Sequence, residues 1–149
     1  MNTVCFTLHH PFTFICVGPT GTGKSFAIAE LLERRHEVID PPVNDIIIVY
    51  SVFQPLYYKL QASIPGIKFT QNIQDIEKLA TRGSLVVIDD KMSEIERGPN
   101  HKLVTDYFTK YCHHHGVSYI DASVWLSCTD SFVIIMHMVM SYQCFCRSP

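Results

Sequence analysis

FTFICVGPTGTGKS, residues 12–25, joins an apolar run to a glycine-rich turn and the start of a helix-forming segment. Its first part, Phe12–Val17, is a short apolar, aromatic and β-branched run between Pro11 and Gly18, which predicts a buried strand. Gly18–Ser25 fits G-x-x-x-x-G-K-[ST] at every fixed position. Ser25–His36 (SFAIAELLERRH) is rich in helix formers, and Phe26, Ile28, Ala29, Leu31 and Leu32 favour one face. Asp40-Pro41-Pro42 then breaks the chain.

A glycine-rich turn between a strand and a helix suits a compact, highly charged anion. Backbone N–H groups from Gly21 to Ser25 can converge on one concavity, and glycine permits the turn conformations and the close approach this needs. The helix N-terminus adds unpaired N–H groups and a positive dipole end. The reading is a phosphate-binding loop made of Gly18, Pro19, Thr20, Gly21, Thr22, Gly23, Lys24 and Ser25. Lys24 would reach the β- and γ-phosphates of a nucleoside triphosphate, and the Ser25 hydroxyl would coordinate Mg²⁺. An accidental glycine-rich turn is the bland alternative, and the flanking strand and helix weigh against it.

Further along, Leu85-Val-Val-Ile-Asp89-Asp90 is a buried strand ending in two acids. Alone this is weak evidence, since strands often run into polar turns. Paired with the loop, Asp89 is expected to hold Mg²⁺ through water and Asp90 to orient and polarise an attacking water.

The remaining pattern alternates strands and helices. Asp45–Tyr50 reads as a buried strand, Gln54–Ser63 as a helix and Ile67–Phe69 as a short strand. Ile73–Thr81 has helical spacing and ends before Gly83, and Lys102–Cys112 reads as a helix. Val117–Leu126 and Phe132–Met140 are strand candidates. Such alternation predicts an α/β fold: three layers, α/β/α, around a mostly parallel central sheet. Ligands of such sheets bind outside the carboxyl ends of the strands, which puts the loop after Val17 and the acids after Ile88 at one edge.

Size and composition agree with one domain over residues 1–149. Hydrophobic residues make up 47% and charged residues 17%, a globular rather than disordered balance. The net charge of −2 offers no strongly basic nucleic-acid surface. The cysteines follow no Cys-x-x-Cys or disulfide spacing, and Cys16 reads as a buried thiol. No signal-peptide pattern opens the sequence, and the most apolar run, Phe132 to Met140, is too short to span a bilayer. The expectation is an intracellular protein, cytoplasmic or nuclear, neither secreted nor membrane-spanning.

The chain resembles the P-loop NTPases, and within them the additional-strand group with an acidic pair in its second motif. FTFICVGPTGTGKS, DIIIVYSVFQPLY, LVVIDDKMSE and YFTKYCHHHGVS carry a closer resemblance to the FtsK–HerA-type ATPases that package viral genomes, poxvirus-type ones and copies in virus-derived elements included. A strand, Ile46–Tyr50, intervenes between loop and acids, as that group requires. The resemblance covers residues 12–118; from about 119 the sequence leaves the family's pattern, and a diverged or truncated end is the expectation. It implies ATP and Mg²⁺ as ligands, double-stranded DNA as a partner, a homo-oligomeric ring and DNA packaging or translocation. Two departures stand out. Asp89-Asp90 replaces the Asp-Glu of many relatives, and the polar γ-phosphate sensor at the end of the next strand has four candidates, Asp121, Ser123, Ser127 and Thr129. The competing expectation is therefore a nucleotide-binding module without turnover. A small-molecule kinase would need an Arg-rich lid, and a GTPase would show Asn-Lys-x-Asp, which does not occur.

Other features have blander readings. Cys112-His113-His114-His115 is expected to be a solvated helix end rather than a metal site, because adjacent helical residues point apart. Phe53, Tyr57 and Tyr58 have the chemistry to stack on bases, but packing is the expected role. Arg97 has the chemistry of an arginine finger, although a surface arginine is commoner. Cys144-x-Cys146 has no partners in the pattern.

Overall fold

The computed structural model describes residues 6–91 and 98–122, and the backbone of 123 and 133–137. Its strands are β1 (Leu8–His9), β2 (Thr13–Val17), β3 (Ile39–Asp40), β4 (Asp45–Tyr50), β5 (Lys68–Thr70), β6 (Ser84–Asp89), β7 (Ser118–Ser123) and β8 (Val133–His137). Its α-helices are α1 (Lys24–Glu33), α2 (Arg35–Val38), α3 (Pro55–Ser63), α4 (Ile76–Leu79), α5 (His101–Asp106) and α6 (Cys112–His115). A π-helical stretch, Tyr107–Tyr111, joins α5 to α6.

The central sheet has the order β5-β4-β6-β7-β2-β8. Its first five strands run parallel, and β8 lies antiparallel along β2. The expected α/β class with a mostly parallel sheet is thus the observed one. β4 and β6 read as unbroken apolar runs because both faces are covered. Ile46, Ile48, Leu85 and Val87 pack with Ile28 and Leu32 of α1 and Tyr57 and Leu60 of α3. Ile47, Val49, Val86 and Ile88 pack with Ile76 of α4, Val104 of α5 and Cys112 of α6 on the other side.

One expectation changes in space. β4 follows α1 in the chain, yet it does not lie between β2 and β6. The strand that separates them is β7, in register with both: Ala122 stands opposite Cys16 on one side and Asp89 on the other. β4 sits beyond β6, because the β2–α1–β4 crossover carries the chain past the places that β6 and β7 later fill.

The helices also differ in detail. The predicted Ser25–His36 helix starts at Lys24 and breaks at Arg34, whose φ and ψ of −95° and 15° leave the α-helical region. A second turn, α2, follows with Arg34 bonded to Glu37 at 2.8 Å. Phe26 does not join the buried stripe; it is 67% exposed. Ile73–Asp75 forms a 3₁₀ turn before α4 instead of extending one helix to Thr81. In the last helical run the buried residues are Val104, Tyr107 and Cys112. A regular helix would carry Tyr111 onto that stripe; the wider π turn adds a residue and brings Cys112 there instead. Leu8–His9 and Ile39–Asp40 form a small parallel pair that no periodicity announced. Among the described residues no helix is long and apolar enough to cross a membrane.

Candidate functional site

β2 ends at Val17, and the loop turns back into α1 through two residues with positive φ, Gly21 at 83° and Gly23 at 90°. A β-carbon at either would meet no protein atom within 4 Å. The constraint there is backbone conformation, and the space above the two glycines is an open cradle. The Thr22 hydroxyl donates to the Pro19 carbonyl at 2.8 Å and closes the turn. Gly23 is the N-cap of α1, and its carbonyl accepts the first helical bond, from Ala27 N–H at 2.9 Å. The first-turn N–H groups have no intrahelical acceptor, no side chain caps them, and no acid in the first turn offsets the dipole.

Lys24 is only 7% exposed. Its ammonium donates to the carbonyls of Gly18 at 2.8 Å and Pro19 at 2.7 Å, so the charge lies across the root of the loop. Ser25 faces β6: its hydroxyl donates to Asp89 at 3.1 Å (Oδ2) and 3.3 Å (Oδ1). Asp89 ends β6 and is 5% exposed. Burial raises its pKa above the ordinary carboxylate value, and the neighbouring Asp90 charge acts the same way; bonds from Tyr57 and Ser25 and the Lys24 charge oppose this. Asp90 leaves the strand at φ 54°, in the left-handed region. Its N–H donates to the Ala122 carbonyl at 3.2 Å, and the Ser51 hydroxyl donates to its carbonyl at 2.6 Å.

These groups line one open cavity of about 320 Å³, together with Thr20, Phe26, Gln54 and Ala122. A larger hollow of about 440 Å³, near the amino ends of β6 and β7, is walled by Tyr107, Tyr111 and Tyr119. The smaller cavity is the one that gathers polar groups: the glycine turn, a cation, a hydroxyl and two carboxylates. The oxygen pair of Ser25 and Asp89 is a hard donor set of the kind that Mg²⁺ takes, and the cradle above Gly21 and Gly23 has room for phosphate oxygens.

The sequence reading missed Tyr57. Its phenol donates a hydrogen bond to Asp89 Oδ2. An aromatic residue on a helix after a strand signals packing, and nothing in the pattern reveals where its hydroxyl points. Phe53 and Tyr57 do pack, in a cluster with Tyr50 and Phe69, whereas Tyr58 is 67% exposed. Ser51 and Gln54 also reach the site unannounced, from the turn after β4.

Other candidates lie elsewhere. Strand alternation puts Asp121 on the face of Tyr119, away from Ala122 and the cavity. His113, His114 and His115 are exposed at the end of α6, where Gly116 terminates the helix at φ 62°. No group of three or more His, Cys, Asp or Glu side chains placed to hold a metal ion occurs among the described residues. Cys16 is buried, and burial pushes its thiol up to about 11. Arg97, Ser127, Thr129, Cys144 and Cys146 lie outside the described residues, as does the side chain of Ser123. No family model, curated protein or solved structure matches the chain.

Proposed function

We propose that the chain binds ATP with Mg²⁺ in the cavity between the Gly18–Ser25 loop and Asp89–Asp90, and hydrolyses it as a P-loop ATPase of the additional-strand group. The single observation that carries this reading is the convergence of the two segments. Ser25 and Asp89, far apart in the chain, meet at 3.1 Å beside a glycine cradle on a helix N-terminus. The strand order supports the group: β7 separates the loop strand from the acid strand.

In this reading the loop N–H groups and Lys24 hold the triphosphate, with Lys24 exchanging its carbonyl acceptors for phosphate oxygens. Ser25 and Asp89 would hold Mg²⁺, which would supply positive charge to offset that of the triphosphate. Asp90 accepts a proton from the attacking water as the terminal phosphoanhydride bond breaks, giving ADP and phosphate. The resemblance to FtsK–HerA-type packaging ATPases extends the proposal to double-stranded DNA as the partner that stimulates turnover and to a ring in which a neighbouring subunit completes the site.

A second reading, nucleotide binding without turnover, is favoured by Ala122. It stands opposite Asp89 and lines the cavity where the group's polar sensor is expected, and a methyl group senses no phosphate. Phosphate release separates the two. With Mg·ATP and double-stranded DNA the wild type should release phosphate, with a specific rate that rises with protein concentration, while Asp90→Asn binds ATP and releases none. Tight binding with no release under any of these conditions selects the second reading.

A further inference from the structure

We infer that Tyr57 is a positioning residue that fixes the Asp89 carboxylate for magnesium, an inference that rests on the reading of Asp89 as a magnesium-holding acid. Three observations support the assignment. The phenol donates to Asp89 Oδ2, while Ser25 reaches both carboxylate oxygens at 3.1 and 3.3 Å, longer than the usual hydroxyl hydrogen bond. Tyr57 is 3% exposed, and its ring is gripped by Phe53, Phe69 and Tyr50 at centroid distances of 5.2, 5.6 and 5.7 Å. The hydroxyl is therefore held in place by packing that owes nothing to Asp89. Finally, α3 starts with Pro55 directly after the β4 turn, so the backbone that carries Tyr57 begins from a fixed φ at the same sheet edge as the acids.

The chemistry follows from burial. A carboxylate that is only 5% exposed needs hydrogen-bond donors to hold it in one orientation. Ser25 is itself a metal ligand in this reading, so its bond to Asp89 gives way when a cation binds. The phenol bond has no such conflict and keeps one oxygen fixed. Partners of this kind behind metal-holding groups typically cost 10–100-fold in metal affinity when removed.

Tyr57→Phe deletes one oxygen and leaves the ring in its cluster. The experiment is ATP binding by wild type and Tyr57→Phe, first in EDTA and then across a Mg²⁺ titration, with thermal melting of both. The expected result is equal metal-free affinity, similar melting, and a Mg²⁺ requirement about tenfold higher in the variant. If wild-type binding does not respond to Mg²⁺, the reading of Asp89 falls and takes this inference with it. If the wild type responds and the variant follows the same curve, only the role of Tyr57 is overturned. Equal loss of affinity with and without metal marks a structural effect and overturns it as well.

Discussion

Asp90 takes a backbone conformation that most side chains avoid, at φ 54°. Aspartate and asparagine visit it at low cost, whereas a residue such as alanine pays about 1–2 kcal/mol there. Ser51 and Ala122 hold the corner through the Asp90 carbonyl and N–H. The corner lets the chain leave β6 with Asp90 still lining the cavity. Thermal melts should therefore rank Asp90→Gly at or above wild type and Asp90→Ala about 1 kcal/mol below Asp90→Gly. Equal melting of the two variants would contradict a backbone constraint at this position. The acids themselves were legible in the sequence as the polar end of an apolar strand. The turn at Asp90 was not, since two successive aspartates carry no mark of which one bends. Nor was the hydroxyl of Tyr57, whose ring obeys the packing expectation while its oxygen serves Asp89.

At the scale of elements, the parallel strands were the most legible part. Thr13–Val17, Asp45–Tyr50 and Ser84–Asp89 fall within a residue of their predicted bounds, because strands covered on both faces announce themselves as unbroken apolar runs. Helix continuity was less legible. The π turn at Tyr107–Tyr111 brings Cys112 to the buried stripe, and a periodic pattern records neither it nor the break at Arg34. The amino edge of the sheet carries its own clasp. Asp45 of β4 accepts from Lys68 of β5 at 2.7 Å and from Ser84 of β6, tying three parallel strands. Burial pushes the Asp45 pKa up, but the bonds from Lys68, Ser84 and Thr81 outweigh it and hold the group below its ordinary value. A carboxylate depressed in the folded state contributes stability above its unfolded pKa, and that contribution disappears as pH falls through the folded one. Asp45→Asn should therefore be less stable by about 1–2 kcal/mol at pH 7, with the gap to wild type closing below about pH 4. Melting curves from pH 7 to pH 3 check this, and a gap that widens in acid would contradict it.

At the scale of the molecule, strand order is what makes a site out of separate motifs. The chain visits the loop strand, then β4, then the acid strand, and only later inserts β7 between the first and the third. The edge on which the motifs meet was legible, because parallel strands with helical crossovers share one carboxyl end. The neighbour relations were not. They arise from crossovers on both faces, with α1 and α3 in one layer and α4, α5 and α6 in the other. Everything proposed for this edge of the sheet requires that the Gly18–Ser25 loop take a triphosphate. Equilibrium binding of Mg·ATP to wild type and to Lys24→Ala, both shown by melting to be folded, tests this most directly. The account predicts saturable binding by the wild type and a loss of about 10–100-fold in the variant, the worth of charge-assisted bonds to phosphate. No binding by the wild type at millimolar Mg·ATP, or equal binding by both proteins, would contradict it.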